Sequence, residues 1–226
     1  MSSPVRHPAA AIATIAGWVL AGLLFLIGKS RVSSSKALHP RGEVCHGLLR
    51  RQGCSWRTRV TWLDDAGSDR VLLRFSRSVG LPKPFPDVLG LAMRIPLDGD
   101  GHGDLLLATT GAGGLGRFLL RPARHRGAVY SCLIPYQAPM GPLLLAALPI
   151  DDDGFQFELV CARLRGAWSS FGWLDVLPAS DRGRDAPVSF DPVLNVVPGL
   201  DSYTWAAQLR RFAYAASRRA RGAVPG

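Results

Sequence analysis

The sequence predicts an α+β chain: a closed antiparallel β-barrel with a hydrophobic helix at its amino end and an amphipathic helix at its carboxy end. Three observations predict it. Twenty-five glycines and seventeen prolines punctuate many short apolar runs, the pattern of strands and turns rather than of a helical bundle. Ala9–Gly28 runs for twenty residues without a charge. Near the end the spacing turns helical, with Trp205, Leu209 and Phe212 on one face behind Ser202 as a cap.

The chain divides into residues 1–35, the hydrophobic helix and a Ser33–Ser35 linker, and residues 36–226, a single domain. Ala9–Gly28 is apolar all round, and about 20 such residues span a bilayer. A membrane anchor, a signal peptide and a helix packed on the domain are the three readings. No small-x-small cleavage site follows, because Lys29 and Arg31 come at once. Lys29, Arg31, Lys36 and Arg41 outnumber Arg6 on the other side, which holds the domain in the cytoplasm. The expectation is a single-helix membrane anchor; the alternative is a soluble cytoplasmic protein.

Within the domain, residues 43–79 read as strand-like, with strands at 59–63 and 71–76 around a turn at Asp64–Ser68. Pro82, Pro84 and Pro86 break any regular element. Residues 89–95 and 104–109 read as strands flanking a turn at Asp98–Gly103, and 118–120, 128–134 and 155–165 continue the series. The last helix is expected to start near Ser202.

The net charge of +10 is almost wholly arginine, since lysine occurs only at 29, 36 and 83. Such a balance suits an anionic ligand, a membrane surface or nucleic acid. Scattered arginines fit a nucleic-acid surface poorly, so no nucleic-acid partner is expected. Cys45, Cys54, Cys132 and Cys161 form no C-x-x-C pair, which removes a zinc ribbon or thioredoxin motif. Cys45 and Cys54 are near enough in sequence to bridge, but reduced, buried cysteines are the expectation.

Several patterns carry no chemistry. Gly111-Ala-Gly113-Gly-Leu-Gly116 fits G-x-G-x-x-G, yet no Asp or Glu occurs from 105 to 150 to hold a ribose, so it reads as a turn. Asp151-Asp152-Asp153-Gly154 lacks the alternating ligands of a calcium loop and reads as a solvated hairpin turn. His46, His102 and His125 have no metal spacing, and no G-x-S-x-G elbow supports a hydrolase.

The informative stretch is Phe190–Gly222, FDPVLNVVPGLDSYTWAAQLRRFAYAASRRARG. Pro192, Pro198 and Gly199 hold its front part extended. On the helix that follows, Arg210 and Tyr214 stand four residues apart, so the guanidinium can lie against the phenol oxygen. A fixed positive charge favours the phenolate over a phenol whose pKa is ordinarily about 10. A tyrosinate is a hard oxygen ligand suited to ferric iron.

Phe190, Pro192, Asn195, Pro198, Gly199, Arg210 and Tyr214 together resemble the proximal region of the haem catalases. At the other end, His39-Pro-Arg-Gly42 and Arg74-Phe75-Ser76 resemble the distal half of the same site. Asp87-x-x-Gly90-Leu-Ala-Met-Arg94 and Asp104-Leu105 follow in the family's order, and Phe118 and Arg121 match more loosely. The resemblance spans most of 36–226, thins from about 125 to 185, and comes nearest to the small catalase-related bacterial proteins. It implies a haem b with Tyr214 as axial ligand and Arg210 maintaining its phenolate. It also implies His39 as the distal base on peroxide, Ser76 orienting that ring, Lys36, Arg74 and Arg221 as propionate partners, and Phe118 beside the cofactor. The implied function is a haem-dependent catalase or peroxidase acting on peroxide, with an organic reductant in the second case. One departure stands out: Ala108 occupies the register of the family's distal asparagine, with Thr109 and Thr110 beyond it. Two other readings remain, a non-enzymatic haem-binding protein and a haem-free, membrane-tethered barrel that binds an acidic partner.

Overall fold

The computed structural model describes residues 41–78, 80, 84–178 and 188–206. In chain order the elements are β1 (Arg41–Arg51), α1 (Thr61–Asp64), β2 (Gly67–Arg77), β3 (Leu89–Pro96), β4 (His102–Thr109) and a 3₁₀ turn (Gly114–Phe118). There follow β5 (Tyr130–Ser131), β6 (Tyr136–Ala138), β7 (Gly141–Pro149), β8 (Gln156–Arg163) and β9 (Ser169–Val176). Every pairing is antiparallel, in the order β5-β4-β3-β2-β1-β9-β8-β7-β6, and β5 also pairs with β7. That last pairing closes the sheet. One edge of β7 holds β8, while the other holds β5 against Ala146 and Ala147 and β6 against Gly141–Leu143. Nine strands thus fill eight positions of an antiparallel barrel, as the strand-and-turn punctuation predicts.

Alternation along each strand sends one set of side chains inward. Val71, Leu73 and Phe75 from β2, Leu91, Met93 and Ile95 from β3, and Phe157 and Leu159 from β8 join one core cluster. Phe75, Tyr130 and Phe157 meet edge-on or stacked, with ring centroids 5.8 to 6.4 Å apart. Each fully buried Leu or Phe contributes about 1.5–3 kcal/mol of transfer free energy. The interior is filled by side chains, so anything large must bind on the outer faces.

The turns expected at Asp98–Gly103 and Asp151–Gly154 are present. Gly99 (φ +73°) lies between β3 and β4, and Gly154 (φ +72°) between β7 and β8. Asp151 Oδ1 accepts from the Gly154 and Phe155 amides, 2.6 and 2.9 Å away. The G-x-G-x-x-G stretch is likewise a turn, closed by Gly111 N–H donating to the Gly116 carbonyl at 3.0 Å.

Three expected strands are corrected. Residues 59–63 form a loop and the single turn of α1, because Asp64 accepts from the Thr58 amide and hydroxyl and from the Arg59 amide. Such local side-chain bonds compete with a strand ladder. Residues 118–120 leave a 3₁₀ turn, with one isolated bridge from Leu120 to Thr110. Of 128–134 only Tyr130 and Ser131 pair as a strand, and Leu133 breaks away at φ +56°. The Ala9–Gly28 helix lies outside the described residues. Among the described residues no helix is long and apolar enough to cross a membrane.

Candidate functional site

Inward packing of Val71, Leu73 and Phe75 leaves Arg74 and Ser76 on the outer face of β2. Strand register places Gly42 of β1, Ser76 of β2, Gly90 of β3 and Ala108 of β4 side by side in one outer row. No side chain in this row is larger than serine's. Four strands at the ordinary spacing make a platform about 14 Å across. Val44, Arg74, Ala92 and Leu106 form the next row. Val44, Ser76, Gly90 and Ala92 are buried, so this is not bare sheet surface.

Arg74 lies across Gly42. A Cβ at position 42 would come within 2.6 Å of the Arg74 guanidinium carbon, so the missing side chain is what lets the arginine bend along the strand. Its cation therefore sits at the β1 margin of the platform.

One row further on, Arg94 and Asp104 face each other across β3 and β4. Arg94 Nε donates to Asp104 Oδ1 at 2.8 Å and its Nη2 to Oδ2 at 3.0 Å. Asp104 Oδ2 also accepts from the Asp191 amide and from Asn195 Nδ2, both at 2.8 Å, while the Asp104 amide donates to the Asn195 carbonyl. Phe190 lies over the Arg94 guanidinium, 5.1 Å from ring centre to Cζ, and Arg94 also donates to the Ser189 carbonyl. Burial alone raises the Asp104 carboxyl. Hydrogen bonds from Arg94, Asn195 and the Asp191 amide, with the Arg94 charge, outweigh it and hold the group below the ordinary carboxylate range. Val197 closes over Gly103, where a Cβ would meet it at 2.5 Å.

These bonds fasten residues 189–197 to the outer face of the β3–β4 hairpin, beside the platform. The segment is shaped for this place by its own turn: Asp191 Oδ1 accepts from the Val193 and Leu194 amides, and its carbonyl accepts from Asn195 N–H. Gly199 then takes φ +84° and Leu200 N–H donates to the Val197 carbonyl. Helical backbone is reached at 204–206.

Of the residues expected to carry chemistry, Ser76 is on the platform and Arg74 at its margin. Phe118 ends the 3₁₀ turn and packs, partly buried, against the core. His39, Lys36, Arg210, Tyr214 and Arg221 lie outside the described residues. Ala108 stands in the Ser76 row, on the outer face. The neighbouring threonines do not replace the missing amide. Thr109 Oγ1 accepts from the Leu89 amide at 3.0 Å, and Thr110 Oγ1 donates to Ser131 Oγ at 3.2 Å, both buried. Sequence reading missed the partnership of Arg94 and Asp104 with Asn195, because 91 residues separate Asp104 from that asparagine. It also missed the platform: four small residues on four strands have no signal until register aligns them. Among the described residues, no three His, Cys, Asp or Glu side chains group to hold a metal.

No protein-family model matches the sequence, and no curated protein does. Among solved structures, the fold matches a structure of a bacterial catalase with a TM-score of 0.58. The barrel is catalase-like. Sequence identity over the match is 15%, and the match covers 89% of this chain and 60% of that one. The chain thus spans about 60% of the length of the catalase it matches.

Proposed function

We propose that this catalase-like barrel binds haem against its outer platform and uses it to process peroxide. The observation that carries the reading is the fastening of residues 189–197, through Asp104, beside a row of four small residues on a partly buried outer face. The residues fit a flat aromatic macrocycle with anionic edges. The Gly42–Ser76–Gly90–Ala108 row offers backbone and small side chains to its face, and Arg74 offers a cation at the margin for a carboxylate. Lys36 and Arg221 would be the further propionate partners in this reading, Phe118 a flanking ring, and the Tyr214 oxygen would hold the iron.

Bound in this way, haem supplies a redox-active iron at which the peroxide O–O bond is cleaved. The chain's own groups do the rest. Arg210, one helical turn before Tyr214, stabilises the phenolate over the phenol by its fixed charge. His39, with a pKa ordinarily about 6.5, accepts a peroxide proton at an imidazole nitrogen and returns it to the departing oxygen. Ser76 orients that ring by its hydroxyl. The small, close-set residues of the row keep bulk water from the site, which strengthens these hydrogen bonds.

The absorption spectrum of full-length protein expressed with added haem tests the reading. A Soret band is expected, and Tyr214→Phe should shift the visible bands. His39→Ala should keep the bound haem and lose at least 10²-fold in peroxide turnover. A chain that takes up no haem, or a Tyr214→Phe spectrum identical to wild type, overturns the assignment.

Ala108 favours a second reading on the same scaffold, a haem protein that oxidises an organic reductant or only holds its cofactor. With no amide in the row to orient a second peroxide, dismutation should be weak relative to peroxidase turnover with a phenolic reductant.

A further inference from the structure

The loop joining β1 to α1 carries Cys54, and it is built tightly. Gln52 N–H donates to the Phe171 carbonyl, and Cys54 N–H to the Leu63 carbonyl, both at 2.9 Å. Gly53 takes φ +87°, and a Cβ there would meet the Asp64 carbonyl oxygen at 2.5 Å, so only glycine fits the bend. Ser55 Oγ lies 2.8 Å from Ser169 Oγ of β9, and the Arg163 guanidinium of β8 stacks on Trp56 at 5.1 Å. The contacts of Gln52, Ser55 and Trp56 press the loop onto the β8–β9 side of the barrel, while those of Gly53 and Cys54 tie it to α1. The consequence is that Cys54 Sγ stands 2.7 Å from Cys161 Sγ, across 107 residues of sequence.

Both are free thiols. Cys161, on β8, is fully buried, whereas Cys54 is half-buried and can be reached from solvent. Reduced cysteines are what the sequence leads one to expect, but the neighbour of Cys54 is Cys161 and not Cys45, the nearer in sequence. Cys45 points into the core from β1, where burial pushes its thiol up to about 11 and keeps it protonated.

We propose that Cys54 and Cys161 form a redox site, oxidised by a hydroperoxide at Cys54 and closed to a disulfide by Cys161. The sulfurs need to approach by only about 0.7 Å to reach an ordinary disulfide bond length. The two thiols divide the roles between them. A hydrogen bond from Cys161 lowers the Cys54 thiol against the opposing effects of burial and of Asp64, so Cys54 is the sulfur that ionises. The same bond and burial raise Cys161, which keeps its proton until the second step.

In the first step the Cys54 thiolate attacks the hydroperoxide. An S–O bond forms as the O–O bond breaks, and the departing alkoxide or hydroxide takes a proton from water. In the second, the Cys161 sulfur attacks Cys54 and displaces the hydroxyl, which leaves as water with the Cys161 proton. Two thiols lose two electrons and two protons, and the hydroperoxide becomes an alcohol (or water) and water. A small-molecule thiol reverses the change by exchange at the half-buried Cys54. The site needs no haem, so it stands whether or not the cofactor reading does.

The test is thiol mapping by mass spectrometry of full-length protein, treated with hydrogen peroxide and quenched with N-ethylmaleimide while peroxide is still measurable. Two of the four alkylatable thiols should be lost, with a cross-linked peptide pair holding Cys54 and Cys161, while Cys45 and Cys132 remain alkylated. Adding dithiothreitol should restore all four. Cys161→Ser should leave Cys54 as a sulfenic acid that dimedone traps. Cys54→Ser, on the accessible side of the pair, should abolish the cross-link and leave Cys161 alkylated after denaturation. Retention of all four thiols, or oxidation of Cys45 or Cys132 ahead of Cys54, overturns the proposal.

Discussion

At position 108 the outer row presents a methyl group, which neither donates nor accepts a hydrogen bond. The backbone around it is an ordinary β4 ladder paired with Gly90 and Ser131, so a longer polar side chain can be placed there without altering the strand. Ala108→Asn adds an amide to the row that holds Ser76. On the proposed function, one new hydrogen bond to bound peroxide contributes about 1.4 kcal/mol to the transition state. The expected outcome is roughly tenfold higher kcat/KM for peroxide dismutation, measured as oxygen release, with the haem spectrum unchanged. The neighbouring threonines make the same point from the other side, since their hydroxyls already bond to the Leu89 amide and to Ser131.

The element that matters most is the strap of residues 189–197 on the β3–β4 hairpin. Its attachment converges on one carboxylate, so replacing that group strands several donors at once. Asp104→Ala leaves Arg94, Asn195 and the Asp191 amide without their shared acceptor. A loss of about 2–3 kcal/mol is expected in denaturant unfolding, the lower end reflecting Arg94's partial exposure. The pH dependence has a definite sign. The folded carboxyl titrates below its ordinary value of about 3.9, so its contribution is complete above that pH and disappears as the pH falls through the depressed folded value. Melting temperatures below pH 4 should therefore drop more steeply for wild type than for Asp104→Asn, and equal slopes would remove the carboxylate from the account. The residues of this strap were legible in the sequence as a Phe-x-Pro, Asn and Pro-Gly pattern. Its docking site was not, because nothing in the sequence pairs Arg94 and Asp104 of two neighbouring strands with an asparagine 91 residues beyond Asp104. The same limit explains the missed strands. β7 is apolar on both faces and shows no alternation, while β9 carries Gly172 opposite the β8 irregularity at Leu159 and Val160. The expected strand at 59–63 failed for the opposite reason: Asp64 gave its backbone a competing set of partners.

At the scale of the molecule, closure of the barrel rests on its shortest strand. β5 contributes two residues, yet it joins β4 to β7, and its Tyr130 fills the space between Phe75 and Phe157. Tyr130→Ala should cost about 3–5 kcal/mol and broaden the unfolding transition, read by circular dichroism, because the seam opens as the ring cluster is lost. A loss below 1 kcal/mol would mean that the other strands hold the cylinder without it. The closed sheet itself was readable from glycine and proline spacing, whereas the broken seam of β5 and β6 was not, since it depends on Leu133 adopting φ +56°. The filled interior carries a last consequence. A cylinder already packed with its own leucines and aromatic rings needs no guest to become a folded body. The empty-handed protein should therefore melt cooperatively, and, on the proposed function, porphyrin added afterwards should raise the midpoint in proportion to the logarithm of its concentration, as expected for a receptor that exists before its ligand arrives.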